Sequence, residues 1–359
     1  MKANGVLLTV LAATLVAACT TTPKVSNETK PVTKTITGTE LKVRDLWGYR
    51  IVASYKDYLF MQEDRDTSRL VVYKVEGDSL IYHKGLIDRG RGPKEFYYVE
   101  FSLGEDTLYI SNSDPTGLKA FYSIPLNDMD RIDDRDLWKE YPVSERDIQT
   151  GLSFVPYQHD NFVVAGGKAD TKEIFSLFDY DEGEKRIPIQ FWPDDQTPGP
   201  LFAKQMVYMQ SYLCSRGDRF LYANMYARYM FVAEIKENGI NEIAMVYSSL
   251  PKYEIKSDGN SVRTADGDEG IRPYATSTRI YAKIGKLIKE IKDDNYKFKD
   301  YPRGYLDELE VYDWDGNFID NYRTSLPFST FAVSYDNKYL YTMTMDLDSG
   351  QSVIIRYDL

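Results

Sequence analysis

The chain has 359 residues, with 55 acidic against 44 basic side chains and a net charge of −11. That balance excludes nucleic acid as a partner, because such binding depends on Lys and Arg neutralising phosphates. Two histidines and two cysteines argue against a His-based triad or zinc centre, and no HExxH, P-loop or nucleophile-elbow sequence occurs.

At the N-terminus, Lys2 precedes an apolar stretch from Val6 to Val16, and small residues lead into Cys19. This reads as a secretory signal, too short in its apolar part to span a bilayer. Val16-Ala17-Ala18-Cys19 resembles a bacterial lipobox, which implies that Cys19 is acylated and becomes the mature N-terminus. Such an anchor holds more than one acyl chain, enough for stable membrane attachment. The other reading is an ordinary cleaved signal in which Cys19 is incidental. Residues Thr20 to Thr33 are rich in Thr, Lys, Pro, Ser and Asn and read as a flexible tether. The expected organisation is therefore a signal peptide over 1–18, a lipidated Cys and tether over 19–33, and a single folded unit over 34–359. With Cys19 lipidated, Cys214 has no disulfide partner and reads as a small core residue. Thr20 stands where an inner-membrane retention signal would place Asp, and Thr20 to Val25 carry no acid. The first points to the outer membrane; the second means that the acidic stretch resembling a surface-export tag is missing, so the periplasmic face is favoured.

Along 34–359 one pattern returns six times: an apolar run, a polar turn, then a second apolar run. The second runs open at Asp57, Asp106, Asp160, Asp218, Thr278 and Asn337, at intervals of 49 to 60 residues. Repeats of that length made of strands point to an all-β fold, a six-bladed β-propeller of four-stranded antiparallel blades. The innermost strands are expected near Tyr49, Tyr98, Leu152, Met206 to Cys214, Arg272 and Phe331. The outer strand of blade two is unclear before Glu145. Blade six runs out one strand short, so the ring is expected to close with an N-terminal strand around Lys34 to Val43. Two stretches break the rhythm. Lys252 to Ile271 reads as a long exposed loop, and Ile284 to Asp294 as a helical turn or two.

The sharpest local motif is Gly90-Arg91-Gly92-Pro93-Lys94-Glu95-Phe96. It reads as a blade-to-blade crossover, or as an anion cradle using Arg91 and Lys94. Lipobox, Thr-rich tether, six repeats and this Gly-x-Gly-Pro-x-Glu-Phe crossover together resemble the TolB-like six-bladed propeller lipoproteins of Gram-negative envelopes. The resemblance implies fold and compartment. It carries no established activity and no functional residues to transfer.

Asp179-x-Asp181-x-Gly183, Asp313-x-Asp315-Gly316 and Asp346-x-Asp348-x-Gly350 are similar to calcium loops, but none continues to the bidentate Glu of a full loop, and the same residues suit hairpin turns. The window Met206 to Met230 concentrates Met and Tyr, a soft contact surface or ordinary core. Tyr208, Tyr212, Tyr226, Tyr229 and Tyr274 lie near expected ring-facing strands and are the aromatic ligand-binding candidates, beside Arg91 and Lys94. The leading expectation is a membrane-anchored, non-catalytic binding or scaffold module for an envelope protein, peptide or glycan, with no cofactor. The alternative is a calcium-dependent propeller hydrolase or lactonase, with Asp45, Glu100, Asn112 and Asn224 as the polar candidates in its central channel.

Overall fold

The computed structural model describes residues 30–43, 46, 48–63, 69–90, 95–145, 148–181, 183–237, 239–256, 261–263, 270–286, 297–302 and 304–359. Its elements are overwhelmingly strands. In chain order they begin with β1 (Lys34–Ile36), β2 (Gly38–Val43), β3 (Gly48–Tyr55), β4 (Tyr58–Glu63), β5 (Leu70–Glu76), β6 (Ser79–Arg89) and β7 (Glu95–Phe96). Next come β8 (Tyr98–Leu103), β9 (Thr107–Asp114), β10 (Gly117–Pro125) and β11 (Lys139–Pro142), then β12 (Ile148–Tyr157), β13 (Asn161–Lys168), β14 (Phe175–Asp179) and β15 (Lys185–Ile189). The helix α1 (Leu201–Met209) precedes β16 (Ser211–Arg216), β17 (Arg219–Asn224), β18 (Tyr229–Lys236) and β19 (Gly239–Ser248). The short pair β20 (Tyr253–Ile255) and β21 (Ser261–Arg263) leads to β22 (Ile271–Ala275), β23 (Ile280–Ile284), β24 (Leu306–Tyr312) and β25 (Phe318–Phe328). The chain ends with β26 (Thr330–Val333), β27 (Tyr339–Met345) and β28 (Ser352–Asp358).

Pairing is antiparallel between sequence neighbours, giving sheets ordered β8-β9-β10-β11, β12-β13-β14-β15 and β16-β17-β18-β19. β22 to β25 form a further antiparallel run, to which β1 adds as a parallel edge strand. β26, β27 and β28 are completed by β2, which pairs antiparallel with β28 through Gly38↔Tyr357 to Leu41↔Ile354. β2 then pairs in parallel with β6 at Lys42 and Val43, so this sheet is continuous with β3 to β6. The N-terminal segment thus adds strands to two sheets, β1 beside β25 and β2 beside β28.

The first strand of each sheet touches the first strand of the next: β3 with β8, β8 with β12, β12 with β16, β16 with β22, β22 with β26, and β26 back to β3. The sheets therefore surround a lumen lined by those strands, which is a β-propeller. The unpaired edge of an inner strand still needs partners for its buried N–H groups. Side chains on other inner strands supply them. Ile51 N–H donates to Thr330 Oγ1 (3.1 Å), and Leu213 N–H donates to Ser153 Oγ (2.7 Å).

Apolar cores fill the space between adjacent sheets, as where Phe121 of β10 stacks on Phe162 of β13 with centroids 4.4 Å apart. Hydroxyls staple neighbouring sheets together. Tyr55 donates to Asp106 Oδ1 (2.9 Å), Tyr141 to Asp160 Oδ1 (2.7 Å) and Tyr281 to Asn337 Oδ1 (3.2 Å). Three of the polar residues that open the repeated runs are therefore the acceptors that tie one sheet to its predecessor.

Three local expectations are corrected or completed. Met206 to Met209 lie in α1, not in a strand; the helix buries Ala203, Val207, Tyr208 and Met209 against the core, and the inner strand starts only at Ser211. The spacing of those buried residues is helical rather than alternating, which explains the misreading. β11 supplies the outer strand that was unclear before Glu145. The stretch from Lys252 to Ile271 contains the β20–β21 pair, while 257–260 and 264–269 lie outside the described residues. Of the expected helical turns, Ile284 belongs to β23 and 287–294 lie outside the described residues.

Candidate functional site: the lumen

One cavity in the lumen, about 330 Å³, is walled by all six inner strands. Each contributes a residue: Arg50 (β3), Glu100 (β8), Tyr212 (β16), Arg272 (β22) and Thr330 (β26) near their starts, and Ser153 at the middle of β12. Side chains alternate along a strand, so the positions two further on face the same space. Val52, Ser102, Cys214 and Tyr274 are among them. The cavity is of the size that small-molecule sites occupy.

The charged residues are organised. Arg50 Nη2 pairs with Glu100 Oε2 at 3.2 Å, with side chains 26% and 30% exposed to lumen water. Arg272 is held differently. Its Nε and Nη2 both donate to the Tyr212 hydroxyl (3.2 and 2.8 Å), and Nη1 donates to the Ser329 carbonyl (3.3 Å). Among the described residues no carboxylate lies within ion-pair distance of Arg272. Despite the lumen water, the enclosing walls raise the Glu100 carboxyl above the ordinary carboxylate value, and the charges of Arg50 and Arg272 only partly oppose this. Both guanidinium groups therefore act on the same carboxylate.

Tyr274 forms the floor. Its hydroxyl accepts the Ser54 N–H at 3.1 Å, reaching from β22 to β3. A second cavity of about 330 Å³ lies on its far side, lined by Tyr55, Tyr109, Tyr157, His159, Arg216 and Tyr335 among others. Tyr274, Leu103, Ser215 and Ala275 line both cavities, so the lumen consists of two chambers that meet at Tyr274. Cys214 also faces the first chamber, and burial pushes its thiol up to about 12, so it is a neutral wall residue there and not a nucleophile.

Beside the first chamber, Lys283 is buried and donates to the carbonyls of Gly304 and Ser329 (2.8 and 2.5 Å). Gly270 lies at the same mouth, where a Cβ would stand 2.2 Å from the Asn224 carbonyl oxygen. Only glycine permits that approach of two backbones.

Of the aromatic candidates read from sequence, Tyr212 and Tyr274 are in the lumen. Tyr208 is not: it lies in α1, fully buried, donating to Asp195 Oδ2 (3.0 Å). Tyr229 is also core, packed on Tyr222 and Phe231. Tyr226 is half-buried in the turn after β17, its N–H bound to Asn224 Oδ1 (2.8 Å). Arg91, Lys94, Cys19 and Asp45 lie outside the described residues. The flanks of the 90–96 motif pair as a crossover, Asp88 and Arg89 of β6 against Glu95 and Phe96 of β7.

Of the four polar residues weighed for calcium, the three among the described residues do not assemble. Glu100 is engaged by Arg50, Asn112 is on the second strand opposite Val99, and Asn224 is fully buried with its Nδ2 on the Val207 carbonyl (3.1 Å). The Asp-rich turns are closed on themselves: Asp179, Asp313 and Asp346 each accept the N–H two residues on. Sequence reasoning missed Arg50 and Arg272. The available signal was a charged residue near the start of a predicted inner strand, where alternation turns it into the lumen.

No family model matches the chain, and no curated protein sequence does. Among solved structures, the β-propeller domain of Cps50 (Swd1) from Myceliophteria thermophila aligns over 90% of this chain and 99% of its own, at 12% identity and a TM-score of 0.43. The fold assignment rests on the strand pairing described above.

Proposed function

We propose that this protein is a TolB-like, six-bladed propeller lipoprotein, tethered by an acylated Cys19 to the periplasmic face of the outer membrane. It serves there as a non-catalytic binding module whose ligand enters the lumen. The lipobox sequence and the Thr-rich tether support the anchoring. The circuit of six touching inner strands supports the blade count, each blade being one four-stranded run.

The observation that carries the binding reading is the Arg272–Tyr212–Ser329 arrangement. A guanidinium with no carboxylate within ion-pair distance among the described residues is fixed in a half-enclosed chamber by three hydrogen bonds. Such a group costs free energy to desolvate and adds little to folding. Its fixed geometry is that of a recognition element, since pre-ordered donors lose little entropy on binding.

The test is capture from native envelope with the soluble chain from Thr22 onward as bait, read by mass spectrometry. Wild-type protein should retain a partner or ligand that Tyr212→Ala loses. Equal retention by both would remove the lumen as the binding site.

A further inference from the structure

The lumen reading leaves the ligand's chemistry open, and the first chamber narrows it. An arginine has five N–H donors. Arg272 spends three, two on the Tyr212 hydroxyl and one on the Ser329 carbonyl. Among the described residues this leaves one N–H on each terminal nitrogen for a ligand such as a carboxylate. Arg50, among the described residues, spends only Nη2, on Glu100. Among the described residues the chamber holds two guanidinium groups against one carboxylate, and the Lys283 ammonium sits on the same Ser329 carbonyl as Arg272, so positive charge is in surplus here inside a protein whose net charge is −11. The walls beside it are apolar: Ile51, Val52, Phe101, Pro273 and Phe331.

We propose that the first chamber recognises an organic carboxylate, seated on Arg272 with its apolar body against Val52 and Phe101; this rests on the lumen being the binding site. The lining favours an organic carboxylate over inorganic phosphate, because apolar walls can cover the body of an organic acid and offer nothing to a fully hydrated phosphate. The surplus of positive charge between low-dielectric walls also concentrates the field on an entering anion. Glu100 sets the strength of the site, because it competes with the ligand for the two arginines.

The test titrates the soluble chain with phenylacetate, phenylacetamide and inorganic phosphate, following side-chain and backbone shifts by NMR. Phenylacetate should bind at least tenfold more tightly than the neutral amide, and more tightly than phosphate. Arg272→Lys, which keeps the charge and loses the fork, should weaken phenylacetate about tenfold. Glu100→Gln should strengthen it several-fold, a gain that a misfolded variant could not give. Arg356→Gln, at a distant ion pair with Asp78, should change nothing. Tighter phosphate than phenylacetate would overturn the carboxylate assignment in favour of a phosphate-bearing ligand. Equal binding of amide and acid, or indifference to both chamber variants, would overturn it altogether. Those results leave the Tyr212 dependence of envelope capture untouched, so failure of this proposal and failure of the lumen reading are separable.

Discussion

The Tyr274 hydroxyl accepts the Ser54 N–H at 3.1 Å across the lumen, and this single hydrogen bond joins two strands that are not neighbours in the ring. Ser54 is 1% exposed, so its N–H has no access to bulk water in exchange. Burial raises the Tyr274 phenol above its ordinary value, which keeps the hydroxyl protonated throughout the physiological range.

Tyr274→Phe should therefore destabilise the protein by ~1–3 kcal/mol, the usual cost of leaving a buried donor without its partner. Urea unfolding of the soluble chain measures this directly. A change below the error of the extrapolation would mean that Ser54 N–H finds water when the hydroxyl is gone, and that the two chambers are wetter than the packing implies.

Glu100 makes stability depend on pH with a definite sign. Its folded-state carboxyl titrates above the unfolded value of about 4.3. Between those two points the native state holds more protons than the unfolded chain, so stability falls as pH rises through that window. Urea midpoints measured from pH 4 upward should show this fall in wild-type protein and a flatter profile in Glu100→Gln. A profile unchanged by the substitution would place the titration elsewhere.

Cys214 should resist alkylation. Its thiol is pushed up to about 12 and faces a chamber floored by Tyr274, so the reactive thiolate is scarce at pH 8. Iodoacetamide should leave native protein unmodified over hours and label it rapidly in urea, as read by intact mass. Fast native labelling would show that the first chamber opens widely.

Residues ahead of the first strand are bonded to the fold. Lys30 N–H donates to Glu310 Oε1 (2.9 Å), Asn321 Nδ2 to the Lys30 carbonyl (2.7 Å), and Thr33 N–H to the Asn321 carbonyl (2.9 Å). Glu310 is 1% exposed and also accepts from the Tyr247 and Tyr312 hydroxyls. A chain starting at Lys34 should thus be less stable than one starting at Thr22 by ~1–3 kcal/mol, because a buried carboxylate loses one of its donors. Equal melting of the two would show that these contacts are not maintained in solution.

The fold was legible because its signals are local and repeated. Asp106, Asp160 and Asn337 recur at the same place in their repeats since each accepts a tyrosine hydroxyl from an adjoining sheet, and a need of that kind writes a periodic mark into the sequence. Tyr212 and Tyr274 were legible as lumen candidates from their nearness to expected ring-facing strands. Tyr208 and Tyr229 were not separable from them, because an aromatic residue near an inner strand serves core and lumen equally well, and α1 was hidden in an apolar run short enough to pass for a strand. Arg50 and Arg272 escaped notice for a different reason. Each is an ordinary charge in an acidic, charge-rich chain. Their meaning comes from strands more than two hundred residues apart in sequence being brought to one chamber.

The most direct test of the lumen as the binding site is hydrogen exchange of the soluble chain, followed by mass spectrometry, with and without the material captured from native envelope. The account predicts added protection concentrated on β3, β8, β16 and β22, the strands carrying Arg50, Glu100, Tyr212 and Arg272. Protection confined to outer strands such as β6, β11 or β19, with the inner strands unchanged, would contradict it.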